Sequence, residues 1–221
     1  MGKRSYDQHC TVATALDVVG ERWTLLLVRE LLTGPKRFKD LLAGLPGIGT
    51  NLLAARLKSL AAHGVVRRAT LPPPAGTDVY ELTELGRSLE PVVLALSRWG
   101  ARLMAQEPRE AADVRPGWAA MALRSLFEHE VDGPRGIYEF RIDGEAFYLR
   151  VGEGRVEARQ GGADEPDVVI SGGAGTFLAL TAGRLGPEEA LASGKIRLED
   201  EPDGGAMAWC LQTLGKAATP A

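Results

Sequence analysis

The chain has 221 residues, 45% hydrophobic and 25% charged, with a formal net charge of −3 and two cysteines. That length suits one large domain or two small ones. No apolar run approaches the roughly 20 residues of a membrane span, and the start, MGKRSYDQHC, lacks the apolar core of a secretion signal. Cys10 and Cys210 lie far apart with no CxxC, which argues against a disulfide framework and makes a reducing cytoplasm the expected setting. The charge is unevenly spread. Residues 1–108 are basic on balance and residues 109–221 acidic, so the two halves are expected to face different partners.

Residues 11–19 (TVATALDVV) and 21–33 (ERWTLLLVRELLT) read as two helices separated by Gly20, and Gly34-Pro35 ends the second. KRFKDLLAGLPG gives a short amphipathic helix with Phe38, Leu41, Leu42 and Leu45 inward and Lys36, Arg37 and Lys39 clustered at its start. After the turn Pro46-Gly47-Ile48-Gly49, the stretch GTNLLAARLKSLAAH (49–63) puts Leu53, Leu57 and Leu60 on one stripe and Asn51, Ala55 and Lys58 on the opposite face. Thr50 is the expected N-cap and Gly64 the residue that closes the helix. The outer face offers an amide for base edges, a small residue that allows close approach, and a cation for phosphate. A solvated surface helix has the same face, and the neighbouring elements decide for a recognition helix. Thr50, Asn51 and Ala55 are then placed nearest the bases of double-stranded DNA, and Lys36, Arg37, Lys39, Arg56 and Lys58 toward phosphates. Val65–Ala69 and Val79–Leu82 form a hairpin around LPPPAGTD, with Arg67 and Arg68 at its base. Helix, helix, hairpin is the order of a winged helix. Thr83-Glu84 starts a further helix to about Met104, with Leu85, Leu89, Val92, Val93, Leu96 and Trp99 apolar. Its length predicts packing on another chain, hence a two-fold homodimer reading paired half-sites.

Residues 10–100 resemble the HxlR family of bacterial winged-helix transcription regulators. The likeness is carried by Cys10, ALDVVGERWTLLLVREL (15–31), GPKRF (34–38), LPGIGTNLLAARLKSL (45–60), VVRR (65–68), YELTELGRSLEPVVLAL (80–96) and Trp99-Gly100. The resemblance implies a homodimer that binds operator DNA. It also implies that a cysteine at the place of Cys10 serves some members as a redox or electrophile switch. A thiolate at a helix start beside a cation, as His9 provides, is the reactive form; the alternative is a small buried residue at a dimer seam. In GTDVY (76–80), Asp78 stands where the family often has a basic residue, which weakens the expected wing contact and leaves Arg67 and Arg68 as its substitutes.

Residues 105–117 (AQEPREAADVRPG) read as a linker, and WAAMALRSLFEHE (118–130) as an amphipathic helix. GIYEFRID, EAFYLRVG and RVEARQG are strands separated by DG and GEG turns. DVVIS (167–171) is another strand. Ala174–Gly183 and Pro187–Ser193 are helices, KIRLE (195–199) is a last strand, and Ala206–Leu214 closes the chain as a helix. The segments DGEAFYLRVGEGRVEAR and PDVVISGGAGTFLALTAGRLGPEEALASGKIRLED resemble the sterol carrier protein 2 fold. That resemblance implies an apolar pocket between sheet and helices for a lipid-like ligand. The expected lining is Phe140, Phe147 and Leu149 on the strands, Phe177, Leu180 and Leu191 on the next two helices, and Met207, Trp209 and Leu214 on the closing helix. Each of these residues equally suits a filled core.

The fold expected from all this is α+β. A winged helix-turn-helix for DNA binding and dimerisation (1–108) is joined to a sterol-carrier-like α/β sandwich of mainly antiparallel sheet that senses a ligand (109–221). His9, His63 and His129 stand apart without ligand spacing, so no metal or other cofactor is expected. SGGAGT (171–176) lacks the Gly-Lys-Ser/Thr ending of a phosphate loop, and no catalytic constellation is expected. The function expected is a transcription regulator, a repressor acting on operator DNA as a homodimer and modulated by a small apolar ligand or by Cys10 oxidation. The alternative is a lipid or acyl-chain carrier whose front half only dimerises.

Overall fold

The structure is a computed structural model that describes residues 5–74, 76–106, 114–128, 130–199 and 204–216. The chain divides into two compact units, Met1–Val93 and Leu94–Ala221.

The first unit begins with α1 (Thr11–Val19), α2 (Thr24–Leu32), α3 (Phe38–Gly44) and α4 (Thr50–Ala62). The hairpin β1 (Val66–Thr70) and β2 (Asp78–Leu82) follows, then α5 (Glu84–Arg87). The hairpin is antiparallel in the register Val66↔Leu82 through Thr70↔Asp78. Lys36 adds one residue of strand to it, donating its N–H to the Tyr80 carbonyl at 3.0 Å and accepting from the Tyr80 N–H at 2.8 Å. Leu27, Leu41, Leu53, Leu57, Leu60 and Leu82 fill the interior between helices and hairpin. Burying six leucines is the main force holding these short elements together.

Three local findings differ from the sequence reading. The second helix starts at Thr24 rather than residue 21, because Trp23 takes a left-handed backbone (φ 79°) that no helix continues through. Its ring then lies against the α3–α4 turn at Gly47. Thr50 is not the N-cap: Gly49 holds that position in extended conformation with no side-chain cap, and Thr50 is already the first helical residue. The helix expected over 83–104 is two helices, α5 and then α6 (Glu90–Gln106). Thr83 caps α5 by accepting from the Gly86 N–H at 3.1 Å. Pro91 has no N–H to give the Arg87 carbonyl, so the ladder breaks at Ser88-Leu89 before α6 begins.

Elsewhere the local rules hold. Gly64 (φ +69°) ends α4 in a Schellman arrangement, in which Gly64 N–H donates to Ala61 O at 3.0 Å and Val65 N–H to Leu60 O at 2.9 Å. The linker expected at 105–117 has its centre, 107–113, outside the described residues; 105–106 belong to α6.

The second unit holds α7 (Pro116–Phe127), β3 (Gly136–Ile142), β4 (Glu145–Gly152), β5 (Arg155–Gln160) and β6 (Val168–Gly172). After these come α8 (Ala174–Thr181), α9 (Pro187–Ala192), β7 (Ile196–Glu199) and α10 (Gly204–Lys216). The sheet order is β5-β4-β3-β6-β7. Every pairing is antiparallel except β3 with β6, so the sheet is mixed, mainly antiparallel as expected. The turns Asp143-Gly144 (φ 47° and 86°) and Glu153-Gly154 (φ 54° and 71°) give the two tight hairpins. Asp143 also accepts the Ala174 N–H at 3.0 Å and so caps α8. One face of the sheet packs against α7, α8 and α10 around Tyr138, Phe140, Leu149, Phe127, Phe177 and Leu214. On α6, Arg98 donates to the Ser125 carbonyl at 3.2 Å and pairs with Glu128, which fixes α6 against α7.

Candidate nucleic-acid interface and a cleft beside Cys10

The surface that matters first is built by α3, the turn after it, and α4. Leu53, Leu57 and Leu60 are 0%, 2% and 1% exposed, which anchors one side of α4 and forces the other outward. Thr50, Asn51, Ala55 and Lys58 are all exposed on that outer side. Lys39 on α3 is exposed beside them in sequence order, and neither Lys39 nor Lys58 has an ion-pair partner among the described residues. These two cations are free to meet an anion without first breaking a bond.

The arginines among the remaining basic positions are already engaged. Arg56 is half-buried and turned to the body of the unit. Its Nη2 meets Glu21 Oε2 at 2.7 Å and its Nε donates to the Arg22 carbonyl at 3.2 Å. Arg37 donates through Nε to Asp40 Oδ2 at 3.0 Å, and the same oxygen accepts the Arg37 N–H at 3.2 Å, so the Asp40 carboxylate satisfies the backbone donor at the start of α3. Slight desolvation raises the Asp40 pKa, but the Arg37 hydrogen bonds and charge and the nearby Lys39 outweigh it and hold the carboxyl below its ordinary range. Lys36 is half-buried at the hairpin. On β1, Arg67 Nε bonds Glu81 Oε1 at 2.6 Å, while Arg68 donates to the Tyr80 hydroxyl at 2.9 Å and lies over its ring at 5.3 Å. Asp78 accepts the Thr70 hydroxyl at 3.0 Å across the hairpin, so its carboxylate sits at the loop end of the ladder with a neutral partner.

A second feature of this unit was not visible in the sequence. Between α1, the end of α4 and the α5–α6 junction lies a largely apolar cleft of about 610 Å³. Ala15, Val18, Val65 and Leu89 make its apolar walls, and His9, Cys10 and His63 give it polar points. Cys10 is the exposed N-cap residue of α1. The backbone N–H groups of Ala13 and Val12 favour its thiolate and lower the thiol pKa. Cys210 is the opposite case: it is buried on α10, and desolvation pushes its thiol up, so it stays protonated.

In the second unit, the residues expected to line an apolar pocket, Met207 apart, belong to one packed cluster. Phe140, Leu149, Phe177, Leu180 and Leu214 are fully buried and Phe147 is 7% exposed; Leu191, Met207 and Trp209 are half-buried. Phe140 stacks on Phe147 at 5.2 Å and meets Phe177 edge-on at 5.9 Å. Phe127 and Tyr138, neither of them among the expected pocket lining, close the cluster against Trp209 at 5.4 Å and 4.8 Å. Among the described residues no three His, Cys, Asp or Glu side chains are grouped to hold a metal, and no helix is long and apolar enough to cross a membrane.

Three short helices, an outward-facing fourth and a hairpin define a winged helix-turn-helix, the architecture of a DNA-binding module. Residues 18–108 match the profile of the HxlR-like helix-turn-helix family, and residues 120–201 that of the SCP-2 sterol transfer family. An HTH-type transcriptional regulator of Synechocystis is 34% identical over 47% of this chain and 76% of its own length. The regulator YvaP of Bacillus subtilis is 38% identical over 38% of this chain and 79% of its own. The structure of the B. subtilis regulator YodB in its reduced form is similar at 34% identity, covering 47% of this chain and 100% of that one, with a TM-score of 0.39. The chain belongs to the HxlR-like helix-turn-helix family of transcriptional regulators, with a sterol-carrier-like second domain.

Proposed function

We propose that the protein binds operator DNA as a homodimer and represses transcription, with residues 1–108 as the DNA-binding and dimerisation domain and residues 109–221 as the sensing domain. The carrying observation is the two-sided α4: a leucine stripe sunk in the core and Thr50, Asn51, Ala55 and Lys58 facing out. Asn51 is shaped for a base edge, Ala55 for close approach, and Lys58 with Lys39 for the backbone phosphates. The unpartnered cations supply the salt-sensitive part of the affinity.

Dimerisation is supported by α6. Val92, Leu96, Trp99 and Leu103 recur at helical spacing and are all exposed, Trp99 by 61%. A continuous apolar stripe of that kind is the mark of an interface. Val12 and Leu16 on α1 are exposed as well. A small apolar ligand of the second domain, or oxidation or alkylation of the Cys10 thiolate, regulates binding if its affinity or reaction differs between the DNA-ready and DNA-unfit dimer.

The test is fluorescence anisotropy with the duplex upstream of the protein's own gene and with a scrambled duplex, each at two salt concentrations. Salt-sensitive, sequence-selective retention is expected. The sterol-carrier match of residues 120–201 favours a second reading, an acyl-chain carrier. That reading gains if neither duplex is retained while a fluorescent fatty acid is.

A further inference from the structure

We infer that Arg98 is a positioning residue for the pairing of two copies of this chain, and that the second unit governs the pairing through it. The inference rests on the dimer reading above. α6 lies within the stretch matched by the helix-turn-helix family, yet from Leu94 onward it belongs to the second compact unit. Its two sides differ. Leu94 is 1% exposed, and Ser97, Arg98 and Ala101 are half-buried. Val92, Leu96, Trp99 and Leu103 are exposed. At about 3.6 residues per turn, the two sets fall on opposite sides of the helix. The side away from the apolar stripe is therefore the side that fixes how the stripe is presented.

Arg98 meets the end of α7, where the chemistry asks for a cation. The last carbonyls of a helix have no partner within it. Ser125 stands in the last turn of α7, and its carbonyl accepts from Arg98 Nη1 at 3.2 Å. Glu128 is the C-cap residue of α7, and a carboxylate there opposes the helix dipole. The same Nη1 pairs with it. Arg98 thus supplies a donor and a compensating charge at one point. The side chains of Arg98 and Glu128 are 34% and 25% exposed, so salt screens this pair less than one in open water. The Ser97 and Ser125 hydroxyls meet at 3.2 Å in the same contact, and Ser125 is 3% exposed.

Sedimentation equilibrium of the full-length protein tests the seat. Arg98→Ala should raise the dimer dissociation constant about tenfold, the effect of one charge-assisted hydrogen bond. Affinity for a single operator half-site should stay as it was. Arg98→Lys keeps the charge and should recover most of the pairing. Glu128→Gln, on α7 and away from the stripe, should also weaken pairing. The double variant should be no weaker than Arg98→Ala alone, because both substitutions break one contact. A residue that only holds the fold would lower the melting temperature and leave the dimer constant of the folded protein unchanged; that result overturns the inference. So do effects of the two substitutions that add, or an equal loss at the half-site. Should Arg98→Ala fail to fold, an unchanged dimer constant in Glu128→Gln overturns it as well. Unaltered protein that sediments as a monomer defeats the dimer reading itself, whereas a dimer indifferent to both substitutions defeats this inference alone.

Discussion

As proposed, Asn51 and Lys39 ask different things of a duplex. The first offers a fork of donor and acceptor that only some base edges complete; the second offers a point charge that any phosphate accepts. Asn51→Ala is therefore expected to lower operator affinity by about 1–3 kcal/mol and to relax preference at one base pair. Lys39→Ala should weaken operator and scrambled duplex alike and reduce the slope of log affinity against log salt by about one. Anisotropy titrations on both duplexes check the pair, and a uniform loss for Asn51→Ala would remove it from the bases.

Cys10 makes a prediction of a different kind. Its thiolate is favoured by the amides at the start of α1, so its pKa is lowered. The nucleophile is the thiolate, so alkylation by iodoacetamide should fall as pH drops through that lowered value and should persist below the range where an ordinary thiol has already lost reactivity. Cys210, buried and held as a thiol, should not react in the folded protein. A Cys10 midpoint at or above that of a free thiol would discount its role as a switch.

Among the elements, α5 is the most constrained. A Cβ on Gly86 would lie 2.1 Å from the Val65 carbonyl oxygen and 3.0 Å from Leu82 Cδ2. Gly86→Ala must push backbone apart and should destabilise the first unit by about 1–3 kcal/mol, measured as a lower urea midpoint. That close approach joins α5 to the hairpin at Leu82 and to Val65, between α4 and β1. The elements also show what a sequence discloses. Period and punctuation were enough for α4, its Gly64 stop and the two type I′ turns, because each is a local rule acting on adjacent residues. The break before Pro91 was equally local, but the Thr83-Glu84 start and the run of leucines masked it. The left-handed Trp23 and the outward or inward choice at Arg56 depend on tertiary partners, Gly47 and Glu21, and no local pattern announces them. The cleft draws on three separate segments, so only the fold assembles it. In the second unit Phe140, Phe147 and Leu149 suited a pocket lining and a filled core equally, because whether such residues fill or frame a space is a matter of packing rather than pattern.

For the whole molecule, the decisive surface is the stripe along α6. Trp99→Glu puts a charge in the middle of the exposed apolar run Val92, Leu96, Trp99 and Leu103, and desolvating an unpaired carboxylate on association is strongly unfavourable. Sedimentation at micromolar concentration should show the unaltered protein as a dimer and the variant as a monomer. The variant's affinity for a two-site operator should fall far more than for a single half-site, because linkage of two modules is lost. A variant that remains dimeric would move the interface elsewhere.

The tether from Arg56 to Glu21 and the Arg22 carbonyl has a practical consequence for anyone wishing to retarget this regulator. On the proposed interface, letters at 51, 55 and 58 can be rewritten to suit a new operator, since among the described residues those side chains hold nothing in place. Position 56 belongs to the frame instead: exchanging it along with its neighbours would cut the strut that ties α4 to Glu21 and Arg22.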